Sequence, residues 1–212
     1  MARHHNRRRN PYAKPDALTQ AARAAGYTAR SVFKLEQIDQ RVRLLRQGQR
    51  VLDLGAAPGS WSAYAAKRIG PAGQLVAIDL KPLKQVLPDT CQVIIGDAFD
   101  GALLETGPMG ELAPYSVVLS DMAPNTTGDK ATDQIRSHQL FMRALELATT
   151  LLEPGGSFVG KLFMGGDFGE ARDALRARFT TARTIRPKAV RDVSYEIYLV
   201  GLSLKDQSVP AS

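Results

Sequence analysis

Short apolar runs alternate with stretches of helical periodicity from residue 50 to residue 204, and that alternation leaves few folds open. RVLDL (50–54), QLVAID (74–79), CQVIIGD (91–97), YSVVLSD (115–121) and SFVGKLF (157–163) are short and rich in Val, Ile and Leu. They read as strands, buried on both faces. Between them lie helical patterns over 60–69, closed by Gly70, and over 134–152, ended by Pro154-Gly155-Gly156; 168–178 follows the fifth run. TARTIR (181–186) and EIYLVGLSL (196–204) leave no room for a helix between them, so they should pair antiparallel. The expectation is an α/β sandwich around a mainly parallel seven-stranded sheet with the last strand antiparallel.

Upstream, Leu35, Ile38, Val42 and Leu45 recur at helical spacing, which predicts helix from about 17 to 46 with a stop at Gly48. The domain expectation is a flexible basic tail (1–16), one domain (17–205) that includes a helical extension over 17–48, and a short C-terminal tail (206–212). No apolar stretch approaches the roughly 20 residues needed to span a bilayer. MARHHNRRRN lacks the apolar core of a secretory signal, and it reads as a tail rather than a transit peptide. The single cysteine, Cys91, lies in an apolar run, which fits a buried structural thiol and a reducing cytoplasm. His4 and His5 have only His138 for company, so no metal is expected.

Charge is placed unevenly. Residues 1–50 hold twelve Lys/Arg against three Asp/Glu, whereas the rest of the chain holds sixteen against eighteen. A second basic cluster runs from Arg172 to Arg191. Such patches concentrate polyanions and supply phosphate contacts, which favours a nucleic-acid partner over a merely soluble surface. The aromatics do not interleave densely with these charges, so no stacking platform is expected.

VLDLGAAPGSWS (51–62) is the first strand-to-helix turn, and in such sheets ligands bind at the carboxyl ends of the strands. It is not a P-loop, because no Gly-Lys-Ser/Thr follows, and it is not G-x-G-x-x-G. Small residues at Gly55, Ala57 and Gly59 let the backbone approach a ligand closely. Without a pyrophosphate cradle, S-adenosylmethionine fits better than a nucleotide. Asp53, Asp79, Asp97 and Asp121 close four successive strands, and they are expected at one rim. Asp79 would accept hydrogen bonds from ribose hydroxyls and Asp97 would reach the adenine amino group. For Trp61, core packing and cofactor contact remain equal alternatives.

VLDLGAAPGSWS, SDMAPNTTG (120–128), LLEPGGSFVGKLF (151–163) and YEIYLV (195–200) together resemble the FtsJ/RrmJ family, the heat-shock 2′-O-ribose methyltransferases of large-subunit ribosomal RNA. SVFKLEQID (31–39) resembles that family's N-terminal lysine helix, and the likeness spans about residues 17–203. The resemblance implies a Rossmann-like class I S-adenosylmethionine-dependent sandwich with S-adenosylhomocysteine as product. It implies a catalytic set of Lys34, Asp121, Lys161 and Glu196. Cofactor positions would be Asp53, Gly55, Ala56, Ala57, Pro58, Gly59, Trp61, Asp79, Asp97, Ala98 and Asp121. The partner would be large-subunit ribosomal RNA, within a nearly assembled subunit, and the enzyme a monomer. Arg7, Arg8, Arg9, Arg23, Arg30, Arg186, Lys188 and Arg191 would contact RNA phosphates. VRDVSYE departs from the more Arg/Ser-rich run expected before the glutamate, and MGGDFG (164–169) carries no assigned role.

The chemistry needs such residues. A sulfonium methyl is already activated, but a ribose hydroxyl holds its proton far above neutral pH. Lys161 could serve as the base, or as a cation that stabilises developing oxyanion charge. A lysine inside a buried strand is costly without a purpose. Lys34 and Glu196, taken singly, could be a solvent-facing lysine and a strand-start carboxylate; Tyr195 and Tyr198 read as core. Asp121-Met122-Ala123-Pro124 lacks the aromatic that an amino-directed methyltransferase stacks on a flipped base. The remaining alternatives are another RNA such as tRNA, a small-molecule O-methyltransferase, or a non-catalytic ribosome-assembly module.

Overall fold

The five apolar runs form five parallel strands: β1 (Arg50–Leu54), β2 (Gln74–Asp79), β3 (Cys91–Ile95), β4 (Tyr115–Ser120) and β5 (Leu152–Phe163). With β6 (Phe179–Ile185) and β7 (Glu196–Leu204) they make one seven-stranded sheet in the order β3-β2-β1-β4-β5-β7-β6. β7 lies between β5 and β6 and runs antiparallel to both. The computed structural model describes residues 17–165, 167–191 and 194–206. Among these residues, no helix is long and apolar enough to cross a membrane.

Helices cover both faces. α1 (Ala17–Ala24), α2 (Val32–Val42) and α3 (Ser60–Ile69) pack on one; α4 (Gly101–Glu105), α5 (Pro108–Glu111), α6 (Lys130–Leu151) and α7 (Phe168–Arg178) pack on the other. Alternate residues of each strand feed the two cores. Val51 and Val159 join the α1–α3 core, whereas Leu52, Phe158 and Leu162 join the α6–α7 core. Asp53 and Lys161 follow the parity of Val51 and Val159, so both point towards α2 and α3. The central strands are covered on both sides, which is why they read as continuous apolar runs. β3 is an edge strand, and its Val93 and Ile95 stay exposed.

Several local expectations need correction. The helical stretch at 17–46 is two helices, broken where Gly26 takes φ +83°. α2 stops at Val42, with Arg43 left-handed. Leu45 keeps the apolar rhythm because its backbone N–H bonds to Asp39 Oδ1 at 2.9 Å, which folds the chain back onto the same core. Second, Pro154-Gly155-Gly156 does not separate helix from strand. β5 begins at Leu152, opposite Tyr115, and the turn bulges out before Ser157 resumes pairing with Val117. Third, α6 starts earlier than the apolar pattern does, because the Asp129 carboxylate caps it by accepting the Thr132 N–H at 2.8 Å. The apolar runs at 91–97 and 115–121 also end sooner as strands, which leaves Asp97 and Asp121 just past their ends.

Phe158 is fully buried, with its ring 5.7 Å from that of Phe141. Phe158→Ala should therefore cost about 3–5 kcal/mol of stability. Val93→Ala, on the open edge, should cost within about 0.5 kcal/mol. Urea unfolding of the two variants measures the difference.

Candidate active site

At the carboxyl edge of the sheet, between β1 and β4, the strand order reverses and a cleft of about 550 Å³ opens. That volume is in the range of small-molecule sites. Gly55, Ala57, Asp79, Asp97, Ala98 and Asp121 all line it. Gly55 sits at φ +73°, and a Cβ there would lie 2.5 Å from Met122 Cγ. The backbone thus reaches the cleft wall as the small residues of the turn suggested. Asp79 Oδ2 accepts the Ala57 N–H and Oδ1 accepts the Lys81 N–H, each at 2.9 Å. Each oxygen keeps a further lone pair for a ligand. Asp97 is exposed, and its Oδ1 accepts the Phe99 N–H at 3.0 Å.

Other expected positions lie elsewhere. Asp53 is fully buried within β1, away from the cleft lining, and Ser62 donates to its Oδ2 at 2.6 Å. The four aspartates therefore do not share one rim: three line the cleft and Asp53 supports it from beneath. Asp53 lies inside β1, two positions before the turn, with its side chain in the core, whereas Asp79 is the last residue of β2 and Asp97 and Asp121 lie just past their strands. Ala56, Pro58 and Gly59 complete the turn without lining the cleft. Trp61 is buried; its Nε1 donates to the Ser31 carbonyl at 2.8 Å and its ring lies 5.6 Å from Tyr198.

Lys34, Asp121, Lys161 and Glu196 come together from four elements. Lys161 Nζ donates to the Asp121 carbonyl at 2.5 Å and lies 3.0 Å from Asp121 Oδ1. Lys34, in the first turn of α2, forms an ion pair with Glu196 at the start of β7. Antiparallel pairing sets Tyr198 opposite Lys161 and Glu196 opposite Phe163, which brings the beginning of β7 to the end of β5. The Tyr198 hydroxyl donates to Asp121 Oδ1 at 2.7 Å. Burial pushes the Asp121 carboxyl up, but Lys161, Lys34 and the Tyr198 hydroxyl hold it below the usual carboxylate range. Burial, with Asp121 and Glu196 nearby, drives the Tyr198 phenol well above its ordinary value, so it stays a donor.

A second cleft, of about 270 Å³, includes Arg30, Lys34, Arg191, Ser194 and Glu196 in its walls. Arg30 Nη2 donates to the Ala189 carbonyl at 2.6 Å, joining the lead-in of α2 to the loop before β7. Arg186 and Lys188 are exposed on that loop, outside the cleft lining, and Arg186 Nη2 donates to the Ser194 carbonyl at 2.6 Å. Arg23 is exposed on α1 and lines neither cleft. Arg7, Arg8 and Arg9 lie outside the described residues.

Sequence reasoning missed two features. Tyr198 is core, as expected, but it also binds Asp121; its position two residues after Glu196, on the same strand face, was the available signal. The Arg143 guanidinium stacks 3.8 Å from the Phe99 ring centroid at the edge of the larger cleft. Nothing in the α6 pattern singles out that arginine among its exposed charges.

The family model of the FtsJ-like methyltransferases matches residues 27–204, and the chain belongs to that family. A ribosomal RNA large subunit methyltransferase E of Sorangium cellulosum is 59% identical over 197 residues, which cover 93% of this chain and 92% of that one. The protein of the same name in Desulfatibacillum aliphaticivorans is 46% identical over 193 residues, covering 91% and 92%. A solved ribosomal RNA methyltransferase structure from Plasmodium falciparum superposes with a TM-score of 0.74 at 24% identity, over 84% of this chain and 98% of that chain. That likeness shows the shared Rossmann-like fold.

Asp53 makes a pH prediction. Burial raises its carboxyl to about 7, partly opposed by the Ser62 hydrogen bond and reinforced by Asp121 and Asp79. The folded protein then holds a proton that the unfolded chain releases near 3.8. Stability contributed at this site therefore falls as pH rises from about 4 to about 7, and is level above that. Asp53→Asn should remove this component, so its stability relative to the parent should rise across that window. Urea titrations at stepped pH measure it, and a parent–variant difference that is flat with pH would contradict the assignment.

Proposed function

We propose that the chain methylates a ribose 2′-hydroxyl of large-subunit ribosomal RNA, with S-adenosylmethionine as donor. One observation carries this reading. The four residues Lys34, Asp121, Lys161 and Glu196 bridge a small-molecule cleft, lined by Asp121, and a basic cleft, lined by Lys34 and Glu196. The larger cleft fits the donor by its volume, by the close backbone approach at Gly55 and by the carboxylates of Asp79 and Asp97. When bound, S-adenosylmethionine supplies a methyl group activated by its sulfonium. The residues of this chain supply position and charge.

Lys161 uses two of its three donor positions on Asp121, which leaves one for the ribose oxygen. Of its two possible roles, this pattern favours the orienting cation: as the oxygen bonds the methyl and the sulfur–methyl bond breaks, the hydroxyl proton passes to solvent water, and Lys161 stabilises the charge that builds on the oxygen. Asp121 holds the ammonium, Tyr198 holds Asp121, and the Lys34–Glu196 pair shapes the entrance. Arg30 and Arg191 would take the adjoining RNA phosphates, with Arg186 and Lys188 on the loop between. Arg7, Arg8, Arg9 and Arg23 would add salt-dependent affinity. The substrate class follows the names of the relatives, and a cytoplasmic monomer acting on the large subunit is the simplest form of the reading. No metal is needed, because the methyl is already activated.

Lys161→Ala should lower methyl transfer by about 10²–10³-fold and leave S-adenosylhomocysteine affinity within about twofold. The test offers labelled S-adenosylmethionine to large ribosomal subunits, free ribosomal RNA and tRNA, and maps the label. Ribose label on the large subunit, lost in the variant, is the expected result. Label on tRNA would overturn the substrate, label on a base would overturn the chemistry, and transfer that persists in the variant would overturn the role of Lys161.

A further inference from the structure

α2, which carries Lys34 in its first turn, begins without a side-chain cap of its own. Ser31 occupies the N-cap position, yet its side chain makes no capping bond and its backbone is already helical at φ −57°, ψ −23°. The lead-in is held from outside, by the first two residues of α3. Ser60 Oγ accepts the Ala29 N–H at 2.8 Å and lies 2.9 Å from Thr28 Oγ1. Trp61 Nε1 donates to the Ser31 carbonyl at 2.8 Å. Thr28 is tied further: its N–H donates to Gln85 Oε1 at 3.0 Å, and Gln85 Nε2 donates to the Gly26 carbonyl at 3.1 Å.

Ser60 is 1% exposed, so solvent has little access to replace its bonds. α3 does not use its hydroxyl as a cap, because Gly59 is the N-cap residue and Ser60 is the first helical position. Both bonds of the hydroxyl run to the lead-in of another helix. Ser60 is also the residue that follows the Gly55–Gly59 turn. One hydroxyl therefore joins the turn beside the small-molecule cleft to the segment that aims Arg30 and Lys34.

We propose that Ser60 is a positioning residue for methyl transfer: through Thr28 and Ala29 it sets the lead-in of α2, and so the placement of the Lys34–Glu196 pair. The proposal rests on the ribose 2′-O reading above. It separates two effects that a buried serine beside a cofactor turn could have. A residue that serves the cofactor changes cofactor affinity. A residue that serves Lys34 changes the transfer rate, and only while Lys34 is present.

The experiment compares the full chain with Ser60→Ala, Lys34→Ala and the double variant. Hydrogen exchange should speed up about ten- to a hundredfold at amides 28–34 in Ser60→Ala, as expected for the loss of both Ser60 bonds, with β1 and β4 unchanged. Single-turnover transfer at saturating donor and ribosomal subunits should slow about five- to tenfold in the parent background, and less than about twofold when Lys34 is already alanine. S-adenosylhomocysteine affinity should stay within about twofold of the parent. Thr28→Ala removes one of the two Ser60 bonds from an exposed position, so it keeps the test open if Ser60→Ala folds poorly; it should act in the same direction and more weakly. Unchanged exchange at 28–34, an equal slowing in both backgrounds, or a loss that resides in cofactor affinity would each overturn the proposal. If the unaltered chain labels no ribose, the function fails and the positioning role of Ser60 in transfer fails with it, whereas faster exchange would still uphold the clamp.

Discussion

A carboxylate and an ammonium sit side by side at the carboxyl edge of a largely apolar sheet, and neither could remain there charged alone. Removing a charge from water costs several kcal/mol unless a partner and hydrogen bonds offset it. Asp121 has both: Lys161 on its side chain and carbonyl, and the Tyr198 hydroxyl on the same carboxylate oxygen. Lys161 in turn needs Asp121, because its own strand is buried on both faces. The pair holds the ends of β4 and β5 in one arrangement.

Reversal of a single strand completes that arrangement. Were β7 parallel to its neighbours, Glu196 would start at the far edge of the sheet, a strand length from Lys161. Antiparallel entry between β5 and β6 puts the start of β7 beside the end of β5. The register, with Tyr198 opposite Lys161, sets Tyr198 on the α1–α3 face, where it meets both Trp61 and Asp121. The second helix then closes the group from above with Lys34. Four residues from α2, the end of β4, β5 and β7 thus form one site, although the sequence separates the first from the last by more than 150 positions.

Charge is divided between two clefts that meet at this group. The larger is small-residue backbone, carboxylates and the Phe99–Arg143 stack. The smaller is lined by Arg30, Lys34 and Arg191 together with Glu196. A neutral-to-acidic pocket for a cationic sulfonium donor and a basic approach for a polyanion are the complementary halves of such a reaction. Asp53 belongs to neither cleft. It stands beneath the turn and bonds Ser62, so its acidity acts on stability.

Much of this was legible in the chain. Strand runs and the terminal antiparallel pair follow from apolar periodicity and from the lack of room for a helix between 186 and 196, because burial on both faces leaves a direct imprint on composition. Resemblance to the FtsJ family supplied the four residues that meet at the edge; taken singly, Lys34 and Glu196 read as surface charges. Other features became visible only in three dimensions. Periodicity could not reveal the break at Gly26, because Leu45 rejoins the same core without being helical. Strand-end aspartates could not be told from strand-interior ones, because a shift of one or two residues moves a side chain from the rim to the core, as it does for Asp53. Nor could local pattern show that Ser60 and Trp61 secure the start of α2. The sequence by itself determined which residue types, apolar periods and motifs were present, and so the class of fold and the candidate residues of the site. Tertiary structure alone decided which of those groups touch, because contacts between distant segments depend on strand direction and on hydrogen bonds that no local pattern encodes.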